Sequence, residues 1–457
     1  MIDLGSAALA DVSQSLQARE VSAAELVRAY LARIEALEPR INSYITVLGE
    51  QALAAAAESD RRLAGGEARG PLEGVPLAVK DLLDVVGAPT SNGIGAWRER
   101  MARSDAEVVR RLKAAGAVIL GKLNMHECAL GGTNDNPHFG KCRNPWQPDY
   151  VPGGSSGGSG ASVAAGLCAG SLGTDNMGSV RIPAAFCGVA GLKPSNGLVS
   201  TRGMHQLSWS TATIGPLCRG VQGVALLMSV LAGYDPLCAD AARPARAPDF
   251  ALPARPSLQG LRLGIVDAYV EDCEPETRAA FDRTVRVLAD LGAGVTPLTI
   301  AQVAQARMQC LLIIEAEGAV ALEHVLADAQ APLGQDVRSQ LTYGANMPTA
   351  KLVKAQRYRT ELRHHMEQVF ARCDALLSPT TPIPAVTFAG GAPATLPAHM
   401  PIANLCGAPA LSLPMGFNAA GLPLGLQIMA APFADDMALR VGLAYEQATD
   451  WHLRHPA

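Results

Sequence analysis

The apolar positions near the start of the chain recur at helical spacing. Between residues 26 and 37 they fall on one face of a helix. Ser22 and Glu25 precede this run in the arrangement of a capping box, in which each side chain bonds to the backbone of the other residue. Pro39 follows it, so the pattern predicts an amphipathic packing helix that ends at Pro39.

The next apolar runs are shorter and predict buried strands. Residues 74–81 form one such run, which ends in the charged pair Lys80 and Asp81, and residues 117–120 form another. Between them, residues 104–107 predict a second capping box and a helix that Gly116 ends. A repeated strand–helix–strand order favours a largely parallel sheet with helices on both faces. Ligands bind at the carboxyl ends of strands in such sheets, and Lys80 occupies one of these ends.

The second half of the chain repeats these patterns after a segment without them. Apolar runs predict strands at residues 261–266, 295–298, 376–378, 410–413 and 424–429, and helices at residues 276–291 and 435–449. Residues 233–260 are rich in proline, alanine and aspartate and predict a long surface connection. This connection could divide two domains. We expect it to link two halves of one sheet, because the tail must supply strands that complete the core.

Composition and charge exclude several classes of protein. Of 457 residues, 49% are hydrophobic, which is enough for a large core. The net charge is −4 and no basic cluster occurs, so nothing favours binding to nucleic acid or to an anionic membrane. No run of about 18 apolar residues is present and the N-terminus does not resemble a signal peptide. The ten cysteines are scattered without a C-x-x-C pair, which predicts buried, reduced thiols in a cytoplasmic protein without zinc.

Residues 151–200 combine glycine and serine with short apolar runs, which predicts tight turns over a packed core. Two motifs near or within this segment are misleading. Residues 116–122 resemble a phosphate-binding P-loop, but Leu123 stands where a magnesium-binding Ser or Thr is required. Residues 153–157 match the G-x-S-x-G elbow of α/β-hydrolases. That elbow follows a strand, whereas residues 148–152 contain two prolines, and its histidine partner would have to be His399 or a residue of the polar tail.

A lysine and two serines remain as candidates for catalysis. Lys80 ends an apolar run, and burial would lower its pKa and leave a neutral amine that can act as a base. An exposed surface charge is the simpler alternative. Ser179 lies in a loop of small residues whose consecutive N–H groups can bind an anion, which is what a serine nucleophile requires. An ordinary turn residue is the alternative there.

Several blocks of sequence together resemble the amidase signature family. They are Lys80 and residues 152–159, 173–175, 178–184, 187–188, 191–194, 378–380 and 421–427. The resemblance therefore extends over most of the chain. It implies one α/β/α domain over residues 1–457, with a large mixed, mostly parallel sheet and a signature core at about residues 70–220.

The resemblance also implies a role for each residue of the site. Ser179 would be the nucleophile, Lys80 the base, and Ser155, on a cis peptide bond, the serine that relays the proton between them. The backbone N–H groups of residues 176–179 (Asn176, Met177, Gly178 and Ser179) would form the oxyanion hole. Asp175 and Arg181 would be a structural pair, and Ser156 and Thr174 would support the site by hydrogen bonds. Neither a metal nor a cofactor is implied.

The chain departs from the family pattern at two adjacent positions. Asn176 stands where threonine is common, and Met177 where glycine is common. A methionine with positive φ would be strained. We therefore expect negative φ at Met177, with its side chain against the pocket wall or the core.

These features predict an amidase that cleaves a C–N bond next to a carbonyl in a small or medium neutral substrate. An amide, an aryl amide, a carbamate (urethane) or an ester would suit an apolar pocket. The alternatives are the amidase subunit of a tRNA-dependent amidotransferase, a urea- or biuret-type amidohydrolase, and a binding module with an idle triad. The expected substrate-binding residues are Gly131, Gly132, Thr133 and Met177. Residues 124–127, 134–136, 204–209 and 311–314 are further candidates for the pocket wall. The expected partner is the small-molecule substrate, without direct nucleic-acid or membrane binding, in a monomer or homodimer.

Overall fold

The computed structural model describes residues 3–456, in which thirteen strands and fifteen α-helices form. The strands are β1 (Tyr44–Val47), β2 (Pro76–Lys80), β3 (Val118–Leu123), β4 (Asp135–Asn136), β5 (Gly140–Lys141), β6 (Gly170–Asp175), β7 (Ala190–Lys193), β8 (Thr213–Cys218), β9 (Arg262–Val266), β10 (Gly294–Leu298), β11 (Ala375–Pro379), β12 (Ala410–Phe417) and β13 (Pro423–Ala430). The helices are α1 (Leu9–Gln17), α2 (Ala23–Ile41), α3 (Gly49–Gly65), α4 (Glu107–Ala114), α5 (Gly157–Ala164), α6 (Arg181–Cys187), α7 (Val221–Leu231), α8 (Asp267–Glu271), α9 (Pro275–Asp290), α10 (Val303–Ala321), α11 (Glu323–Ala327), α12 (Gln335–Ala345), α13 (Thr349–Phe370), α14 (Pro401–Cys406) and α15 (Asp435–Gln447).

Eleven of these strands form one mixed sheet, and β4 and β5 form a separate hairpin. The strand order in the sheet is β1-β3-β2-β6-β8-β7-β12-β13-β11-β9-β10. Four of its ten neighbouring pairs are parallel and six are antiparallel. The expected mixed α/β architecture is confirmed, but the expectation of a mostly parallel sheet is wrong. The four parallel pairs (β2–β3, β2–β6, β9–β10 and β9–β11) lie toward the two ends of the sheet, whereas the five pairs between β6 and β11 in its middle are antiparallel.

Both faces of the sheet are covered. Successive residues of a strand point to opposite faces. Leu377 of β11 belongs to one apolar core and its neighbour Leu376 to another. Helices α2, α7 and α15 contribute to the first core, and α10, α12 and α13 to the second. Two layers of helices therefore enclose the sheet, as expected for an α/β/α arrangement.

The first predicted helix forms, but it ends later than expected. Ser22 caps α2 and forms the predicted capping box with Glu25. The helix continues past Pro39 to Ile41 and ends at Asn42, which has left-handed backbone angles. A proline at this position removes only one backbone hydrogen bond near the end of the helix, so it does not end the helix. The helix ends instead at Asn42, a residue type that tolerates positive φ.

The second predicted capping box does not form. Ala106 is the N-cap of α4, and no side chain caps this helix. The carboxylate of Glu107 instead accepts hydrogen bonds from Arg110, Arg111 and Arg202. The Glu107 N–H donates to Arg202 O, so a tertiary contact replaces the local cap.

The predicted long connection contains neither a helix nor a strand of the sheet. Residues 233–260 run from the end of α7 to the start of β9. The strands on either side of it belong to the same sheet, so it joins two halves of that sheet, as expected. The assignment of residues 1–457 to a single domain stays a prediction.

The ten cysteines are all free, and seven of them are buried. This agrees with the prediction of buried thiols. Among residues 3–456, no helix combines the length and the apolar character that spanning a lipid bilayer requires.

Candidate active site

Lys80 occupies the carboxyl end of β2, where the sheet brings together three hydroxyl groups around its side chain. The strand is buried at all five of its positions, and Lys80 is 0% exposed. Its Nζ lies 2.7 Å from Ser155 Oγ, 2.9 Å from Ser156 Oγ and 2.9 Å from Thr174 Oγ1. No salt bridge reaches this amine among residues 3–456. Lys80 is thus a buried base candidate and not a surface charge.

The surroundings of Lys80 favour its neutral form. Burial holds the pKa of this amine well below its usual range, and the nearby Asp175 carboxylate opposes the shift. Asp175 is itself paired with Arg181, so its charge is largely compensated. Because the pKa of this cationic group is depressed, Lys80 is neutral and able to accept a proton at pH values above its folded pKa.

The hydrogen bonds determine where the lone pair of the neutral amine points. Ser156 Oγ donates its proton to Thr174 O at 3.1 Å and accepts from Thr174 N, so it can only accept from Lys80. If the two amine protons go to Ser156 Oγ and Thr174 Oγ1, the lone pair faces Ser155 Oγ. Ser155 is then the hydroxyl that can transfer a proton to Lys80.

The backbone before Ser155 passes very close to the backbone of residues 131–132. The Gly154–Ser155 peptide bond is cis. A methyl group on Gly154 would lie 2.8 Å from the carbonyl oxygen of Gly131 and 2.8 Å from the carbonyl carbon of Gly132. Only glycine fits at position 154, and residues 131–132 are thereby held beside the serine.

Ser179 lies next to this crossing and faces a cavity. Its carbonyl oxygen accepts the N–H of Ser156 at 3.2 Å, and it is 7% exposed. Ser179 lines a cavity of about 340 Å³. Among residues 3–456, its hydroxyl makes no hydrogen bond, to Ser155 or to any other group. This hydroxyl is therefore free to turn toward either Ser155 or a substrate.

The loop before Ser179 has three free N–H groups. Among the described residues, the N–H groups of Asn176, Met177 and Ser179 have no backbone or side-chain acceptor. The Gly178 N–H, which we expected in the oxyanion hole, donates instead to Asp175 Oδ1 at 2.7 Å. The carboxylate is the stronger acceptor, so Gly178 shapes the loop and the other three groups are available to an oxyanion.

Asp175 and Arg181 form the expected ion pair beneath this loop. Two bonds of 3.0 Å join them, and both side chains are 0% exposed. Burial would raise the pKa of Asp175, but the Arg181 guanidinium holds it well below its usual range. Arg181 also donates to Gln427 Oε1 at 2.7 Å and to Asn404 Oδ1 at 2.6 Å. No local motif pointed to the role of Asn404, which lies 223 positions from Arg181.

Replacing Asp175 with Asn should lower the free energy of unfolding by about 3–5 kcal/mol, because it leaves a buried guanidinium without its counter-charge. Chemical denaturation measures this loss. Asp135→Asn is the matched control, since its carboxylate is 44% exposed and pairs with Lys141 at 3.3 Å. The control should lose less than about 1 kcal/mol. Equal losses for the two variants would show that the Asp175 pair does not stabilise the loop.

The backbone at Met177 agrees with our expectation of negative φ. Gly178 has a φ of +106°, whereas Met177 is not among the residues with positive φ. A side chain at position 178 would overlap Met400. Met177 is half-buried, packs against apolar residues of α10 and of the 383–400 segment, and lines the cavity. The methionine therefore shapes the pocket wall without backbone strain.

The cavity has walls that are mostly apolar. Helices α10 and α12, residues 129–132 and residues 392–397 line it together with Gly154, Asn176, Met177, Ser179 and Ile182. Gly131, Gly132 and Met177 lie there as expected, as do Leu311 and Ile314. Thr133 lines an adjoining outer recess instead, and residues 204–209 line neither space. Arg307, Gln340 and residues 392–397 are lining residues that sequence patterns did not indicate.

The two misleading motifs have structural explanations. Lys122 is buried in β3 and pairs with Asp81 at 2.9 Å, so it does not bind a phosphate. No strand directly precedes residues 153–157, where the chain is a loop. His399 is buried, and its Nδ1 lies 2.9 Å from the carbonyl oxygen of Pro379. Lys122 and His399 are therefore structural residues.

Comparison with known proteins agrees with this geometry. Residues 25–439 match the model of the family named Amidase. The chain belongs to the amidase family. It is 37% identical to a subunit of the glutamyl-tRNA(Gln) amidotransferase of Thermosynechococcus vestitus, and the alignment covers 98% of each chain. This amidase is therefore an enzyme that acts on carbon–nitrogen bonds other than peptide bonds.

Solved amidases have the same fold. The peptide amidase of Stenotrophomonas maltophilia superposes with a TM-score of 0.87 at 31% identity, covering 98% of both chains. A bacterial aryl acylamidase of the amidase signature family superposes with a TM-score of 0.90 at 26% identity, covering 99% of both chains.

Proposed function

We propose that this amidase hydrolyses a small-molecule amide through an acyl-enzyme on Ser179, with Ser155 and Lys80 moving the proton. The observation that carries the proposal is the 2.7 Å contact between the Ser155 hydroxyl and Lys80, a buried amine with a depressed pKa, beside the free hydroxyl of Ser179. A nucleophilic serine needs a base within hydrogen-bond reach, and here the base acts through a second serine.

In the first half of the reaction, Ser179 Oγ attacks the carbonyl carbon of the substrate. Its proton passes to Ser155 Oγ, and the proton of Ser155 passes to Lys80 Nζ. The negative charge that develops on the carbonyl oxygen is stabilised by the N–H groups of Asn176, Met177 and Ser179. Because these donors are already oriented, they stabilise the transition state without reorganisation.

In the second half, protonated Lys80 returns its proton through Ser155 to the leaving nitrogen. An amine leaves only after protonation, so the base must also act as an acid. The C–N bond breaks and the acyl group stays on Ser179. Water then attacks the ester, loses its proton along the same path and releases the acid and free Ser179.

The cavity supports a substrate with an apolar group next to the amide. Leu311 and Ile314 of α10, together with Met177 and Leu396, line its wall. An aryl or alkyl amide would fit this surface, as would a carbamate or an ester. The likeness to an aryl acylamidase supports the amide most directly of these.

A second candidate is the amidase subunit of a tRNA-dependent amidotransferase, which would release ammonia from glutamine. The sequence relatives support it more strongly than they support hydrolysis of a small-molecule amide or carbamate, since the relatives at 36–38% identity are subunits of glutamyl-tRNA(Gln) amidotransferases. Such a subunit would act in a complex with partner subunits. No observation supports the monomer or homodimer over such a complex.

One assay distinguishes the two candidates. Purified enzyme is offered an aryl amide, a carbamate, a urea and glutamine, with a Ser179→Ala preparation as background. Rapid hydrolysis of the aryl amide by the isolated chain supports the first candidate. Glutamine as the preferred substrate, or activity that requires a co-expressed partner, supports the second. Hydrolysis equal to the background for all four compounds would overturn the proposal.

A further inference from the structure

Arg307 is a charged side chain in the wall of the cavity that contains Ser179. It lies on α10, one turn before Leu311, and is half-buried. Among the described residues, no carboxylate lies within 4.0 Å of it and it makes no hydrogen bond with another side chain or backbone group. The other residues that line this cavity are uncharged.

The other interior arginines of this chain are satisfied by the protein. Arg181 reaches Asp175, Gln427 and Asn404. Arg359, 6% exposed, donates to Leu405 O and to Ser210. A guanidinium carries five donors in a planar fork that matches a carboxylate. Arg307 thus differs from the structural arginines, because its donors remain available to a molecule in the cavity.

Two more polar side chains without partners share this cavity. Gln340 of α12 makes no side-chain hydrogen bond within residues 3–456. Asn176 is 4% exposed, and its Oδ1 has no hydrogen-bond partner among the described residues. Arg307 and Gln340 are half-buried in the wall of an otherwise apolar cavity, and both can donate hydrogen bonds, so a ligand group with acceptor oxygens would complete them. The buried Asn176 Oδ1 can only accept a hydrogen bond, so it does not contribute to the binding of an anion.

The charge of the neighbouring recess restricts where an anion can bind. This outer recess adjoins the cavity at Gln340 and Gly131, and it contains the carboxylates of Glu127, Asp135 and Asp336. Glu127 pairs with His138 and Asp135 with Lys141, whereas Asp336 has no salt bridge among the described residues and would repel an anion there. Within the continuous space, the favourable position for an anion is therefore beside Arg307.

We propose that Arg307 binds a carboxylate group of the substrate and thereby selects amides that carry one. The proposal rests on the proposed amide hydrolysis and narrows its substrate class. It departs from the neutral substrate that sequence patterns favour, since those patterns did not place Arg307 in the pocket. Arg307 would act in binding and specificity, not in the transfer of protons.

Matched pairs of substrates test this selection. The para-nitroanilides of glutaric acid (one free carboxylate) and of valeric acid place the charge on the acyl side. Para-acetamidobenzoate and its methyl ester place it on the amine side. In at least one pair, kcat/KM should be higher for the acid, and Arg307→Gln should lower kcat/KM for that acid by about 10- to 100-fold, mainly through KM. The uncharged partner should change less than about threefold, within the usual range for a surface substitution.

Two further variants separate charge from folding. Arg307→Lys keeps the charge but loses the bidentate fork, so it should retain part of the preference for the acid. Arg357→Gln removes a charge from the exposed face of α13, where the side chain is 77% exposed, and should leave the preference unchanged. An identical loss of preference in the Arg357 variant would overturn the assignment.

A binding measurement decides the question even if none of these compounds is hydrolysed. Glutaramate and valeramide are titrated into Ser179→Ala protein by calorimetry, and then into the double variant with Arg307→Gln. Tighter binding of glutaramate that disappears in the double variant supports the inference whether or not turnover occurs. Equal binding of the two compounds, or a preference that survives Arg307→Gln, overturns it. Hydrolysis that depends on Ser179 but shows no preference for either acid overturns this inference alone and leaves the proposed function intact.

Discussion

Replacing Ser179 with alanine should reduce turnover of every substrate by at least about 10⁴-fold, because no other hydroxyl of the site can take its place. The Ser155 hydroxyl lies 2.7 Å from Lys80 Nζ. The N–H groups without an acceptor belong instead to the loop that carries Ser179 (residues 176, 177 and 179). A nucleophile without an oxyanion hole beside it gains little from the base. Steady-state kinetics and intact-protein mass spectrometry measure the loss, since the wild type should gain the mass of an acyl group and the variant should not.

Ser229→Ala is the matched control for this prediction. Ser229 is exposed on α7 and bonds only to Leu226 O in its own helix. Both variants should unfold at denaturant concentrations close to that of the wild type. A Ser179→Ala protein that keeps the wild-type rate would falsify the assignment of the nucleophile.

Replacing Lys80 with methionine should lower kcat by about 10²–10⁴-fold and remove the alkaline rise of activity. Burial depresses the pKa of Lys80, so in the wild type activity should increase with pH as the amine loses its proton. The neutral amine is the base, hence activity is present above the folded pKa and lost below it. The rise should therefore come at a lower pH than the titration of an exposed lysine, and kcat is measured from about pH 6 to 9.

The measurement is kcat against pH for the wild type, Lys80→Met and Lys354→Met. Lys354 is exposed on α13 and its removal should leave both rate and profile unchanged. A wild-type profile that is flat over this range, or a rise that survives in Lys80→Met, would mean that another group is the base.

Local sequence patterns predicted the helices and strands well, but they predicted the pairing of the strands poorly. The capping box of Ser22 and Glu25 depends on residues three positions apart, so it was predictable. The similar motif at residues 104–107 failed, because the helix begins after Ala106 and the Glu107 carboxylate binds arginines instead. The mixed direction of the sheet was also missed. It depends on which strands become neighbours, and that choice is made by packing over long separations.

At the candidate active site too, local sequence patterns predicted local features and missed contacts between distant segments. Met177 could be assigned a normal backbone, since only the adjacent glycine must accept positive φ. The hydrogen bond from the Gly178 N–H to Asp175 could not be predicted from the sequence, because it depends on how the loop folds over the carboxylate. Asn404 and Arg307 were missed for a related reason: both lie on helices whose sequence pattern shows a packing face and not a site.

The sequence by itself determined the chemistry that is available: a lysine at a strand end, a glycine-rich segment with two serine centres, and an aspartate and an arginine six positions apart. These are properties of residue type and short spacing, which survive without knowledge of the fold. The tertiary structure alone decided that Lys80 is buried with a depressed pKa, which loop N–H groups remain free, and that Arg307 lines the cavity without a partner. Burial and unsatisfied hydrogen bonds arise only when distant segments meet, and these properties define the base, the oxyanion site and the proposed carboxylate site.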